Sequence, residues 1–248
     1  MDYKQITEKY YSEWIGNENI LCSDFSGVRF VHTIERNNTQ YGYSQIFDLY
    51  ILVQEQRIIV SYGDKMANKV TDIKNRINNI VHVDALKQML KEMFGSNIRH
   101  SVKYNYVEST FATLKSRPLV VSEYPQYLEF FKKVHPHCNN TDWVKDYFFK
   151  MINEDLCCGL FDDNILACCS DAPSMPYMQN VVQEIGINTL PKFQGKGYAT
   201  DVCISCSKAI IKNGKVPQWS TTIDNIASQK LARKIGFDKF ADVITVTI

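Results

Sequence analysis

Apolar positions along the chain change period several times, and each change marks an element. Residues 3–14 carry aromatic and aliphatic side chains at helical spacing. Runs at 28–33, 46–53 and 57–62 are rich in β-branched and aromatic residues and read as strands. Only Gln54-Glu55-Gln56 separates the last two, which predicts a hairpin. Ala85, Leu86, Met89, Leu90, Met93 and Phe94 then fall on one helical face, with Asp84 placed to cap it and Gly95 to stop it.

The stretch Lys115-Ser116-Arg117-Pro118 is the best internal boundary, because proline disfavours helix just before it. It divides the chain into an α+β region, 1–117, and a second part, 118–248. In the second part the pattern predicts a strand at 119–122, helices at 124–134 and 142–152, and strands at 156–161 and 165–169 joined by an Asp162-Asp163-Asn164 turn. A strand at 181–190, a helix at 198–212, a strand at 218–223, a helix at 226–235 and a strand at 242–248 follow. There is no internal repeat and no low-complexity tract.

Composition narrows the classes. With 248 residues, 45% hydrophobic and 22% charged, the chain can bury a sizeable core. A formal net charge of +1 leaves no electrostatic footprint for nucleic acid or an acidic membrane, so neither is expected as a partner. The first residues, Met1-Asp2-Tyr3-Lys4-Gln5, lack the apolar core of a secretory signal, and no apolar run approaches a membrane span. A cytoplasmic protein is the expectation. Eight cysteines include the neighbours Cys157-Cys158 and Cys168-Cys169 in strand-like runs, where successive side chains face opposite ways. Cys203 and Cys206 share a helical face without a second such pair, and the cluster His135-Pro136-His137-Cys138 reads as loop chemistry. Reduced thiols and no metal are expected.

The candidate chemistry lies in Gln194-Gly195-Lys196-Gly197-Tyr198-Ala199, between a strand-like run and a helical one. Two glycines at such a junction let a ligand approach the backbone, and the helix they open offers free amides and a positive dipole end. That is an anion site of pyrophosphate type, or a tight turn. Some thirty residues later comes Asn225-Ile226-Ala227-Ser228-Gln229-Lys230-Leu231-Ala232-Arg233-Lys234-Ile235-Gly236-Phe237. Together the two stretches resemble the GNAT superfamily of acetyl-CoA-dependent N-acetyltransferases, in particular a bacterial group with an extra region before the core. Gln194, Gly197 and Ala199 match the family's Q/R-x-x-G-x-G/A loop. Asn225, Ser228, Leu231, Lys234, Gly236 and Phe237 match its N-x-x-S-x-x-L-x-x-K-x-G-F helix. The likeness is strong over 181–240 and loose from 119 to the end.

The resemblance implies an α/β fold: a C-terminal GNAT core, 118–248, with a mixed, splayed sheet and helices on both faces, preceded by the smaller α+β region. It implies acetyl-CoA as cosubstrate, its pyrophosphate on Gln194, Gly195, Lys196, Gly197, Tyr198 and Ala199 and its pantetheine flanked by Asn225 and Ser228. Backbone amides around Ile187 and Thr189 would hold the oxyanion, and Glu184, just before the loop, would serve as base near the amine. Lys196 is alternatively a solvated charge, Asn225 and Ser228 helix caps, Glu184 a core-edge glutamate and Trp219 core instead of an acceptor platform. Where many relatives carry a tyrosine as acid for the departing thiolate, this chain has Ala232; Tyr198 or Ser220 are other hydroxyls that could assist. The expected activity is acetyl transfer to a primary amine by direct attack in a ternary complex. The alternative is a non-catalytic acyl-CoA-binding module whose N-terminal region contacts a partner protein. The G-x-x-x-x-G-K-[ST] spacing of a nucleotide P-loop is absent.

Overall fold

A computed structural model describes residues 2–77, 82–108, 112, 113 and 115–248. Helix α1, Tyr3–Ile15, opens on the Asp2 side chain, which accepts from the Gln5 amide at 2.9 Å. Strands β1 (Gly27–His32), β2 (Leu49–Gln54) and β3 (Arg57–Tyr62) follow. The β2–β3 hairpin forms as expected, with Gln54 paired to Arg57, so the turn is the two residues Glu55 and Gln56. Helix α3, Val83–Phe94, ends on Gly95 as expected. Asp84 does not cap it: the helix begins one residue earlier, behind His82, and Asp84 lies in the first turn, where its charge faces the positive dipole end.

Two elements of this half escape the periodicity reading, helix α2 (Ala67–Ile77) and strand β4 (Ile98–Tyr106). β4 alternates strictly: His100, Val102, Tyr104 and Tyr106 are buried while the residues between them are not.

The second half contains β5 (Arg117–Pro118), α4 (Tyr124–Val134), α5 (Val144–Asn153), β6 (Cys158–Asp162) and β7 (Ile165–Asp171). β8 (Val182–Glu184), β9 (Gly186–Thr189), α6 (Tyr198–Lys212), β10 (Val216–Thr222), α7 (Ile226–Lys234) and β11 (Phe237–Val246) complete it. The strand expected at 119–122 is not one; β5 precedes it, and Val121–Glu123 forms a turn of 3-10 helix.

The strands form a mixed α/β architecture of two sheets. One has seven strands in the order β1-β3-β2-β11-β4-β10-β8, the other four in the order β5-β6-β7-β9. The expected boundary at 117/118 does not divide the larger sheet. β4, upstream of it, is hydrogen-bonded between β10 and β11, both downstream. α1 lies across the same sheet, with Gln218 Nε2 donating to Thr7 Oγ1 at 3.0 Å and the Tyr3 ring edge-on to Tyr106 at 5.3 Å. The two regions share their main-chain ladder.

Three apolar cores result. The largest joins α4, α5 and α6 to the smaller sheet, a second lies under α1, and the third under α2 and α3. All eight cysteines are free, and six are buried, including Cys157 and Cys169 with their sulfurs 3.7 Å apart. Around the His135–Cys138 cluster, the His135 ring lies tilted against Phe131 and the Cys138 thiol donates to the Asn140 carbonyl. Among the described residues no group of three or more His, Cys, Asp or Glu is placed to hold a metal ion. Among them, too, no helix is long and apolar enough to cross a membrane.

Candidate active site

The run 181–190, expected as one strand, is two. β8 pairs in parallel with β10, up to Glu184 opposite Gln218, and belongs to the larger sheet. β9 pairs antiparallel with β7 and forms the last strand of the smaller sheet. The strand therefore leaves one partner for the other at Ile185, whose amide makes a final bond to the Gln218 carbonyl at 3.1 Å. Beyond it β9 and β10 diverge, and among the described residues no strand fills the gap.

Register decides which β9 amides face that gap. The Leu190 amide donates to the Ala167 carbonyl at 2.9 Å. Antiparallel pairing alternates, so Asn188 and Gly186 also bond toward β7. The amides of Ile187 and Thr189 point the other way, toward β10.

At the far end of β9 the chain turns through Leu190 and Phe193 into Gln194, whose side-chain amide donates to the Thr189 carbonyl at 3.4 Å. Gly195 and Gly197 have φ of +77° and +83°, the left-handed region that glycine occupies without strain. A Cβ built on either meets no protein atom within 4 Å, so both backbones front open space. Gly197 is the N-cap of α6 and offers no side chain to it. The amides of Tyr198 and Ala199, in the first turn, thus face outward with the positive end of a 15-residue helix behind them. Loop and helix fit a pyrophosphate. The Lys196 and Tyr198 side chains are both held by Asp162, at 3.0 and 2.6 Å. Those two bonds, Tyr198's first, hold the Asp162 carboxyl below its usual range. Lys196 is thus tied to Asp162 while its side chain stays 48% exposed.

On the opposite wall, Asn225 caps α7, its side chain accepting from the Ser228 amide at 3.1 Å. Ser228 Oγ accepts from the Trp219 indole at 3.2 Å and so ties α7 to β10. Trp219, 2% exposed, is core. Ala232 is 0% exposed, packed in the same cluster as Trp219 and Phe237. Its methyl group occupies a closed position, away from open solvent.

Glu184 stands at the apex where the strands part. Burial pushes its carboxyl up from the usual range, and the positive charge of Lys103 only partly offsets this. Its charge in turn reaches the Tyr10 and Tyr43 hydroxyls of the N-terminal region, which desolvation already raises. Lys103, on β4, is pulled down by burial, with Glu184 opposing, and its Nζ donates to Ser220 Oγ at 2.6 Å. The sequence reading missed Lys103, Tyr10 and Tyr43 as neighbours of Glu184. The alternation of β4 marks it as a strand with Lys103 on its polar face, but its place beside β10 comes only from the sheet register.

Comparison with known proteins agrees with this geometry. The family model described as GNAT acetyltransferase matches residues 56–242, across the 117/118 boundary. A GNAT-family acetyltransferase from Colwellia psychrerythraea shares the fold at 14% identity and a TM-score of 0.52, over 73% of this chain and 71% of that one. A GCN5-related N-acetyltransferase from Sphaerobacter thermophilus aligns at 10% identity and TM-score 0.48, over 65% of this chain and 55% of its own. An acetyltransferase from Salmonella typhimurium, solved with its cofactor acetyl-CoA, aligns at 13% and 0.44, over 55% and 94%. No curated protein matches. With three quarters of its length under the family model and the strand break and glycine loop in place, the chain belongs to the GNAT acetyltransferase family, whose chemistry is acetyl transfer from acetyl-CoA.

Proposed function

We propose that the protein is an N-acetyltransferase that moves the acetyl group of acetyl-CoA to a primary amine by direct attack in a ternary complex. The observation that carries this reading is the parting of β9 from β10 at Ile185, with outward amides on one wall and Glu184 at the apex. A pantetheine chain pairs with such an edge as an added strand would. The coenzyme supplies an activated thioester; the chain's own residues do the rest. Gly195, Lys196, Gly197, Tyr198 and Ala199 hold the pyrophosphate on backbone amides, with Gln194 fixing the loop to β9. Asn225 and Ser228 shape the other wall through the start of α7. The amides of Ile187 and Thr189 are fixed donors for the oxyanion.

An alkyl ammonium has a pKa of about 10.4, so about one amine in a thousand is free base at neutral pH. Glu184, its proton affinity raised by burial, accepts that proton directly or through water. The N-terminal region shapes the acceptor side, since Tyr10, Tyr43 and Lys103 all lie near Glu184. The acceptor is an amine-bearing molecule, and neither nucleic acid nor a membrane has a part in this reading. Release of coenzyme A thiol across an amine panel tests it. Amine-dependent release supports the transferase; coenzyme binding without release for any amine supports the non-catalytic module.

A further inference from the structure

Acetyl transfer leaves a thiolate that must take up a proton, and Ala232, closed into the core, has no group to give. Of the other hydroxyls, Tyr198 is bonded to Asp162 beside the pyrophosphate loop, far along β9 from the apex. Ser220 is placed differently. β8 and β10 run in register from Val182 opposite Val216 to Glu184 opposite Gln218. Had the pairing continued, Ser220 would stand opposite Gly186; because β9 turns away there, Ser220 edges the gap just past the apex. Its other neighbour in the sheet is Lys103, directly across the β10–β4 pairing. Lys103 Nζ donates to Ser220 Oγ at 2.6 Å, which leaves the hydroxyl proton of Ser220 free to point elsewhere.

We propose, resting on the transferase reading above, that Ser220 gives its hydroxyl proton to the departing sulfur and that Lys103 restores it. The step balances. A C–N bond forms and the C–S bond breaks, its electron pair staying on sulfur. Ser220 Oγ passes its proton to that sulfur while Lys103 Nζ passes one to Oγ. Glu184 passes the ammonium's proton on to bulk water before attack, and then takes the surplus proton that the nitrogen carries once the C–N bond has formed. The site is then left with neutral Lys103 and protonated Glu184. One proton returning from Glu184 to Lys103 through water restores both. Burial suits each half of the exchange, raising the proton affinity of Glu184 and lowering that of Lys103. Ser220 is the catalytic residue here, and Lys103 acts through it.

The first arm of the test reads the thiol of coenzyme A itself and needs no acceptor; a second arm reads turnover of an amine. Coenzyme A bound to the protein is titrated with pH, and thiolate formation is followed by ultraviolet absorbance. The wild-type protein should ionise the bound thiol at least one pH unit below the free coenzyme, and Ser220→Thr, which keeps the hydroxyl, should retain that shift. Ser220→Ala and Lys103→Met should lose it while still binding coenzyme A. Lys103→Arg keeps the charge but holds its proton too firmly to pass it on. It should therefore retain the shift, yet turn over an accepted amine at least tenfold more slowly. Equal thiol ionisation in wild type, Ser220→Ala and Lys103→Met overturns this inference and leaves the transferase reading standing. Wild-type turnover by Lys103→Arg also overturns it. If coenzyme A does not bind at all, the transferase reading falls and takes this inference with it.

Discussion

The amide of Ile185 donates to the carbonyl of Gln218 at 3.1 Å, and this bond is the last between the strand it ends and β10. One residue on, at Gly186, the backbone belongs to another sheet. Everything assigned to the site is arranged about that point: Glu184 before it, the Ile187 and Thr189 amides after it, and Ser220 across from it.

The open space before Gly197 makes a sharp probe. A Cβ there meets no protein atom within 4 Å, so apart from the strain of φ +83° a small side chain should disturb mainly what binds in front of it. Calorimetric titration of Gly197→Val with coenzyme A should show affinity reduced at least ~10-fold, equivalent to about 1.4 kcal/mol. Wild-type affinity would remove the pyrophosphate from this loop.

Glu184→Gln should keep coenzyme binding and lose kcat by roughly 10²–10⁴, the range of a general base. Because burial raises the wild-type carboxyl, the acid limb of the wild-type kcat profile should lie above the ordinary carboxylate range. The stability effect has the opposite sign. A glutamate raised on folding loses stability as pH climbs from its unfolded pKa to its folded one, whereas glutamine has no charge to bury. Thermal melts should therefore show Glu184→Gln more stable than wild type at neutral pH, with the difference closing in acid. A variant that is equally active, or less stable at neutral pH, would contradict this placement of the carboxyl.

Installing tyrosine at 232 does not restore the family's usual acid. The position is 0% exposed, and adding a phenol to a filled core costs about 1–3 kcal/mol. Ala232→Tyr should melt roughly 2–12 °C lower, at about 2–4 °C per kcal/mol, without a gain in kcat. A stable, faster variant would mean that the core there is looser than the structure shows.

The fragment 118–248 should not fold alone. Removing β4 strips the ladder between β10 and β11 and exposes the main-chain groups of both. Circular dichroism and thermal denaturation of the fragment should show no cooperative transition. A folded fragment that binds coenzyme A would show that the shared sheet is dispensable.

These cases also show what local sequence conveys. The glycine loop, α6, α7 and the β2–β3 hairpin were legible because glycine, helical period and turn length act within a few residues. The sharing of one sheet across 117/118 was not legible, for the opposite reason. Pro118 does end one local preference, but β4 finds its partners more than a hundred residues away, and no local signal records that. β4 itself was overlooked because Arg99, Ser101, Lys103 and Asn105 make it read as polar, although its other face is core. Lys103 therefore entered the site only through the sheet register. Asn225 and Ser228 were legible as a motif, while their partners, the Ser228 amide and the Trp219 indole, needed coordinates.

Acetyl-CoA is proposed to lie in the gap between β9 and β10. Following the backbone amides by nuclear magnetic resonance during an acetyl-CoA titration tests this most directly. The amides of Ile187 and Thr189 and those of residues 195–199 should shift together and saturably, with the hydrogen exchange of Ile187 and Thr189 slowed once they gain acceptors. Shifts centred instead on the groove of about 1080 Å³ lined by Tyr3, Gln54, Tyr106 and Asp238, with residues 187–199 unmoved, would contradict this placement of the coenzyme.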